Sequence, residues 1–117
     1  MGQLTTHVLD TSGGCPAQGM LARLYRLEGG GATLLESITL NDDGRADRPL
    51  LQGESMRAGR YRLVFSVGSY FARLGAPLPE PAFLDEVPLD FGIADTGAHY
   101  HVPLLVSPWS YSTYRGS

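Results

Sequence analysis

Three histidines, His7, His99 and His101, are the side chains of this sequence best suited to move protons near neutral pH. An imidazole titrates at about 6.5, close to where a general acid or base works best. His99 and His101 stand two apart in HYHVPLL, and His7 stands in LTTHVLD. Arg45 follows the turn Asn41-Asp42-Asp43-Gly44. Its planar guanidinium can donate two hydrogen bonds to substrate oxygens and stabilise negative charge during attack on a carbonyl. The sequence closes on Tyr114-Arg115-Gly116-Ser117, which puts a phenol, a hydroxyl and an α-carboxylate beside one another.

Each of these residues also has a plainer reading. A strand histidine is commonly a hydrogen-bonded structural residue, Arg45 has Asp43 and Asp47 as surface partners, Arg115 can pair with an acid, and chain ends fray. His99 and His101 share a strand face and supply two legs of a metal site, but further ligands would have to come from His7 or a distant acid, and no motif announces them. No metal is expected. Cys15 lies in the loop Ser12-Gly13-Gly14-Cys15-Pro16 with only His7 as a nearby base, so it reads as a loop residue rather than a nucleophile. Ser117 lacks a nucleophile-elbow motif, and its own carboxylate would oppose a developing oxyanion, which argues against a serine triad.

These residues need elements to position them. Side chains alternate between the two faces of a strand. Tyr100, Val102, Leu104 and Val106 therefore form one apolar row belonging to a core, and His99, His101, Pro103 and Leu105 form the other. The second row is too apolar at Leu105 for open solvent and too polar at the histidines for a core, which implies a cleft or a subunit interface. Leu4 to Asp10 alternates Leu4, Thr6 and Val8 against Thr5, His7 and Leu9. Met20–Leu27 and Thr33–Leu40 flank Glu28-Gly29-Gly30-Gly31 and predict a hairpin, with Leu34, Ile38 and Leu40 on one side. Arg60–Val67 predicts a core strand facing inward through Tyr61, Leu63, Phe65 and Val67, and Val87–Ile93 alternates again.

One helix is expected, Ser69–Gly75, capped by Ser69 and closed by Gly75. Pro77, Pro79 and Pro81 enforce an extended loop after it, and the aromatic and hydroxyl run from Ser110 to Tyr114 predicts a final strand. About seven or eight short strands, frequent turn signals and one short helix make an all-β sandwich. No linker or repeat divides residues 1–117, so one domain is expected.

Composition narrows the function classes. All nine basic residues are arginines and the net charge is -3, with no basic stripe, which argues against a nucleic-acid partner. No apolar run is long enough to span a bilayer and no leader is apparent, so a soluble cytoplasmic protein is expected. One cysteine rules out an internal disulfide framework. Charged residues make up 18% of the chain and hydrophobic ones 43%, a surface short of charge that fits either an obligate oligomer or a small glycine-rich β protein.

Four separated motifs, LTTHVLD, DDGR, HYHVPLL and the terminal YRGS, run in an order that resembles the 5-hydroxyisourate hydrolases, transthyretin-related enzymes of purine breakdown. The resemblance covers essentially the whole chain. It implies the transthyretin fold of two four-stranded sheets with a short helix, a homotetramer built as a dimer of dimers, and cofactor-free hydrolysis of 5-hydroxyisourate. It also implies catalytic roles for His7, Arg45, His101 and Ser117, with His7, Arg45 and Tyr114 contacting substrate and His99 an orienting or structural neighbour. Transthyretin proper does not keep the histidine and arginine motifs or the terminal YRGS, so the resemblance favours an enzyme over a small-ligand transport protein.

Overall fold

The computed structural model describes residues 2–116. In chain order the strands are β1 (Gln3–Asp10), β2 (Cys15–Pro16), β3 (Leu21–Glu28), β4 (Gly31–Thr39), β5 (Leu51–Gln52), β6 (Gly59–Ser66), β7 (Glu86–Ile93), β8 (His99–Val106) and β9 (Tyr111–Thr113). A helix, α1 (Val67–Arg73), follows β6 directly. Two sheets result. One runs β2-β1-β8-β9 with β5 added beside β1, and the other runs β4-β3-β6-β7. The expected sandwich is present, but the first sheet has five strands rather than four, because the apolar Leu51 pairs the short β5 against Leu4 of β1.

The core lies between the inner faces. Leu4 and Val8 of β1, Leu24 of β3, Leu63 and Phe65 of β6, and Leu104 and Val106 of β8 are essentially inaccessible to solvent. The alternation in β6 and β8 thus sorts as expected, with Tyr100, Val102, Leu104 and Val106 all buried. In β4 it does not. A register shift between Leu24 and Tyr25 sets Leu34 opposite Tyr25, whereas Ile38 pairs with Ala22 of the core face. A bulged residue reverses the faces of everything beyond it. Leu34 is therefore 52% exposed while Leu40 is buried.

The helix also begins earlier than expected. Val67 is its first residue, Ser66 occupies the cap position without a side-chain cap bond, and Ser69 sits inside the first turn, donating to the Ser66 carbonyl. Val67, Tyr70 and Phe71, spaced i, i+3, i+4, form one buried face of the helix, and a start at Ser69 would remove the first member of that face. Gly75, with φ +80°, closes the far end as expected. No helix among the described residues is long and apolar enough to cross a membrane.

Candidate active site

The central pair of the five-stranded sheet, β1 and β8, is parallel, with Gln3 opposite His99, Thr5 opposite His101 and His7 opposite Pro103. Because Leu4, Thr6 and Val8 turn inward, Gln3, Thr5 and His7 turn outward beside the histidines of β8. Thr5 lies at the centre of the resulting cluster. Its Oγ1 is 2.8 Å from Nδ1 of His101 and 3.3 Å from Nε2 of His99, and the latter nitrogen is also 3.3 Å from Nε2 of Gln3.

Arg45 reaches this face through the turn that precedes it. Asn41 Oδ1 accepts hydrogen bonds from the amides of Asp43 and Arg45, and the Gly44 amide donates to the Asn41 carbonyl. Gly44 then presents its carbonyl to the Val8 amide at 2.9 Å, which fixes the turn against β1 and sets Arg45 across from His7 in an antiparallel bridge. Only glycine fits there. Its φ is +73°, and a Cβ would come within 2.4 Å of the Val8 carbonyl oxygen. The plainer alternative, a surface pairing of Arg45 with Asp43 or Asp47, is not found among the described residues; Asp47 accepts from the Asn41 side-chain amide. The guanidinium is left to the cleft.

That cleft has a volume of about 470 Å³ and is lined chiefly by Thr5, Arg45, Arg48, Pro49, His99 and His101. Another cavity of about 440 Å³ has Arg26, Arg48, Arg57 and Tyr61 in its wall but no histidine, so the histidine cleft is the candidate site. Burial lowers the pKa of His101 below its ordinary value, and the positive charge of Arg45 with the neighbouring His7 and His99 lowers it further. His7 is lowered too, by burial first and then by Arg45, with the carbonyl and carboxylate of Asp43 partly opposing the shift. Both imidazoles are thus held neutral at pH 7, the form that accepts a proton.

The C-terminal segment is pinned to this strand. Gly116 and His101 exchange backbone hydrogen bonds of 2.7 and 3.4 Å, and a Cβ on Gly116 would lie 2.9 Å from Cδ2 of the His101 ring. The imidazole therefore rests on bare backbone. Tyr114 takes a different direction: it is 61% exposed and lines a separate apolar cavity of about 280 Å³ with Leu89, Phe91, Tyr100, Val102 and Arg115. Arg115 stacks over the Tyr100 ring at 4.2 Å and donates to the His99 carbonyl, rather than pairing with an acid. Ser117 lies outside the described residues. Within one chain, then, His7, Arg45 and His101 converge and Tyr114 does not join them.

Among the described residues, no three His, Cys, Asp or Glu side chains gather as metal ligands. Two contributors escaped sequence reasoning. Thr5 could have been found from its place two residues before His7 on the same strand face; Gly116 carried no signal beyond its motif.

A two-sheet sandwich with a histidine–arginine cleft on the outer face of one sheet defines a transthyretin-like protein with an acid–base site. The chain belongs to the HIUase/Transthyretin family, whose model matches residues 4–116. It is 59% identical over 117 residues to the 5-hydroxyisourate hydrolase of Pseudomonas aeruginosa, covering 100% of this chain and 93% of that protein. Among solved structures it resembles (S)-allantoin synthase, with a TM-score of 0.94 and 50% identity over 99% of this chain but only 44% of the other. It also resembles sea bream transthyretin in complex with thyroxine, with a TM-score of 0.87 and 26% identity over 97% of this chain and 94% of that one. The same backbone thus underlies both (S)-allantoin synthase and thyroxine-bound transthyretin, so the side chains of the cleft carry the functional argument.

Proposed function

We propose that this protein hydrolyses 5-hydroxyisourate in urate breakdown, adding water across a cyclic amide to give 2-oxo-4-hydroxy-4-carboxy-5-ureidoimidazoline. The observation that carries the reading is the grouping of His101 and Arg45 in one cleft, with His7 bridged directly across from Arg45, in a chain 59% identical to a 5-hydroxyisourate hydrolase. A water held between His7 and His101 loses a proton to one imidazole and attacks the ring carbonyl. Its oxygen forms the new C–O bond, the C–N bond of the ring breaks, and the departing nitrogen takes up a proton. Arg45 polarises the carbonyl and stabilises the oxyanion, then holds the carboxylate of the product. Tyr114 contacts substrate and Ser117 helps to organise the reaction. No cofactor takes part.

The same reading includes a homotetramer, a dimer of dimers, in which Tyr114 of one subunit completes a site with neighbours. Its support is the pair of unpaired edges at β7 and β9, which border the apolar cavity holding Tyr114, together with exposed Leu35, Phe83 and Trp109. The exposed free thiol of Cys15 suits a reducing cytoplasm.

A ligand-carrying role is the second reading. It is favoured by the likeness to thyroxine-bound transthyretin and by the apolar cavity at Tyr114. The test generates 5-hydroxyisourate freshly from urate with urate oxidase and follows its absorbance with and without the protein. Faster decay with the protein supports hydrolysis. Unchanged decay, with saturable binding of an aromatic ligand, would replace it by the carrier reading.

A further inference from the structure

Two nitrogens of His101 are available to act, and the hydrogen-bond pattern around Thr5 chooses between them. As the Gln3 amide is oriented, its Nε2 carries only hydrogens, so Nε2 of His99, 3.3 Å away, accepts. Thr5 Oγ1 approaches that same His99 nitrogen at 3.3 Å. Two lone pairs facing each other would repel, so the single hydroxyl hydrogen of Thr5 points to His99. The oxygen then has only lone pairs left for Nδ1 of His101 at 2.8 Å, and that contact requires a hydrogen on Nδ1. In the arrangement that meets all three contacts, Gln3 and Thr5 share the single Nε2 lone pair of His99 as two long contacts, and His101 Nδ1 donates to Thr5 in the short one.

We infer that Thr5 is a positioning residue that fixes His101 as the Nδ1–H tautomer and so leaves its Nε2 lone pair as the general base of the hydrolysis. The inference rests on the hydrolase reading for the reaction, though not for the tautomer. Gly116 supports it from the other side, because its lack of a side chain lets the ring lie flat in the one orientation that reaches Thr5. His99 gains a role as well: it takes the hydroxyl hydrogen that would otherwise go to His101. Among the described residues, the charged and titratable groups around His101 are His7 from β1, His99 from its own strand, and Arg45, Asp47 and Arg48 from the segment before β5, and none of them bonds to its Nδ1.

The experiment is a two-bond ¹⁵N–¹H correlation spectrum of the histidine rings in the whole protein without substrate, for the wild type, Thr5→Val and Thr5→Ser. Valine keeps the β-branched shape that suits a strand and removes only the hydroxyl. The wild type is expected to show His101 with hydrogen on Nδ1 and a bare Nε2, Thr5→Val a mixture of tautomers, and Thr5→Ser the wild-type pattern. In turnover of 5-hydroxyisourate, Thr5→Val should lower kcat by about tenfold with KM little changed, the size expected when a half-buried ring N–H loses its partner. Its acidic limb should move to lower pH, since Thr5 also accepts from the imidazolium, and Thr5→Ser should recover most of the rate. Hydrogen on Nε2 in the wild type would overturn the inference, as would a Thr5→Val protein with an unchanged tautomer and pH profile. The expected tautomers without any turnover would leave the role of Thr5 standing and remove the hydrolase reading.

Discussion

At the scale of residues, the proposed chemistry turns on three neighbouring groups that differ in charge. Arg45 stays positive, and that positive charge adds to burial in keeping His7 and His101 neutral. The acidic limb of the pH–rate profile is therefore expected below 6.5, so that more than half of the plateau activity is retained at pH 6.5. Stability carries the same sign. Between the lowered folded values and 6.5 the unfolded chain binds more protons than the folded one, so stability falls as pH falls through that window. Kinetics and thermal melting over the same buffers check both. For Arg45, replacement by Gln is expected to reduce kcat/KM by about 10²- to 10³-fold, the range for loss of an oxyanion donor, with Lys restoring only part of it because an ammonium lacks the paired donors. A fall of less than threefold in Arg45→Gln would show that the carbonyl is polarised elsewhere. Residue type drew attention to the histidines, while the choice of His101 over His99 and the role of Arg45 came from the resemblance of HYHVPLL and DDGR to a family's motifs. Thr5 was not legible, because a threonine in a strand reads first as strand propensity and its hydroxyl acquires meaning only from β8, more than ninety positions away.

At the scale of elements, the parallel β1–β8 pair and the turn at residues 41–45 do the positioning. The turn depends on Gly44. In Gly44→Ala the Cβ would collide with the Val8 carbonyl and the residue would be strained at φ +73°, so the turn must lift from β1 and carry Arg45 with it. Activity is expected to fall at least tenfold while the protein remains folded, with a loss of about 1–3 kcal/mol in denaturant unfolding. Activity close to wild type would mean that Arg45 needs no such anchor. The strands themselves were largely readable from alternation, because one buried face and one solvated face leave a period of two. Reading failed where packing overrode the local pattern: the β-bulge opposite Leu24 and Tyr25 turned Leu34 outward, and the burial of Val67 drew the helix start past Ser69. The parallel pairing of β1 with β8, on which the whole site depends, leaves no mark in either strand alone.

At the scale of the molecule, a sandwich of 117 residues exposes open edges at β7 and β9 and a row of large apolar side chains that a monomer would keep out of water. The proposed tetramer is expected to elute and scatter light at about four times 12.6 kDa, and Phe91→Glu beside the β7 edge is expected to shift it to smaller species. A 12.6 kDa species at micromolar concentration would contradict that assembly. The fold alone was the least informative guide to activity, since it matches thyroxine-bound transthyretin as well as (S)-allantoin synthase. The central claim is that the two neutral imidazoles of this cleft drive the hydrolysis. The most direct measurement is the rate of disappearance of freshly generated 5-hydroxyisourate with the wild type, His7→Asn and His101→Asn at equal concentrations, after each variant has been shown to melt cooperatively. Decay accelerated by the wild type and reduced at least a hundredfold in both variants is the expected result; acceleration that survives in both would contradict the account.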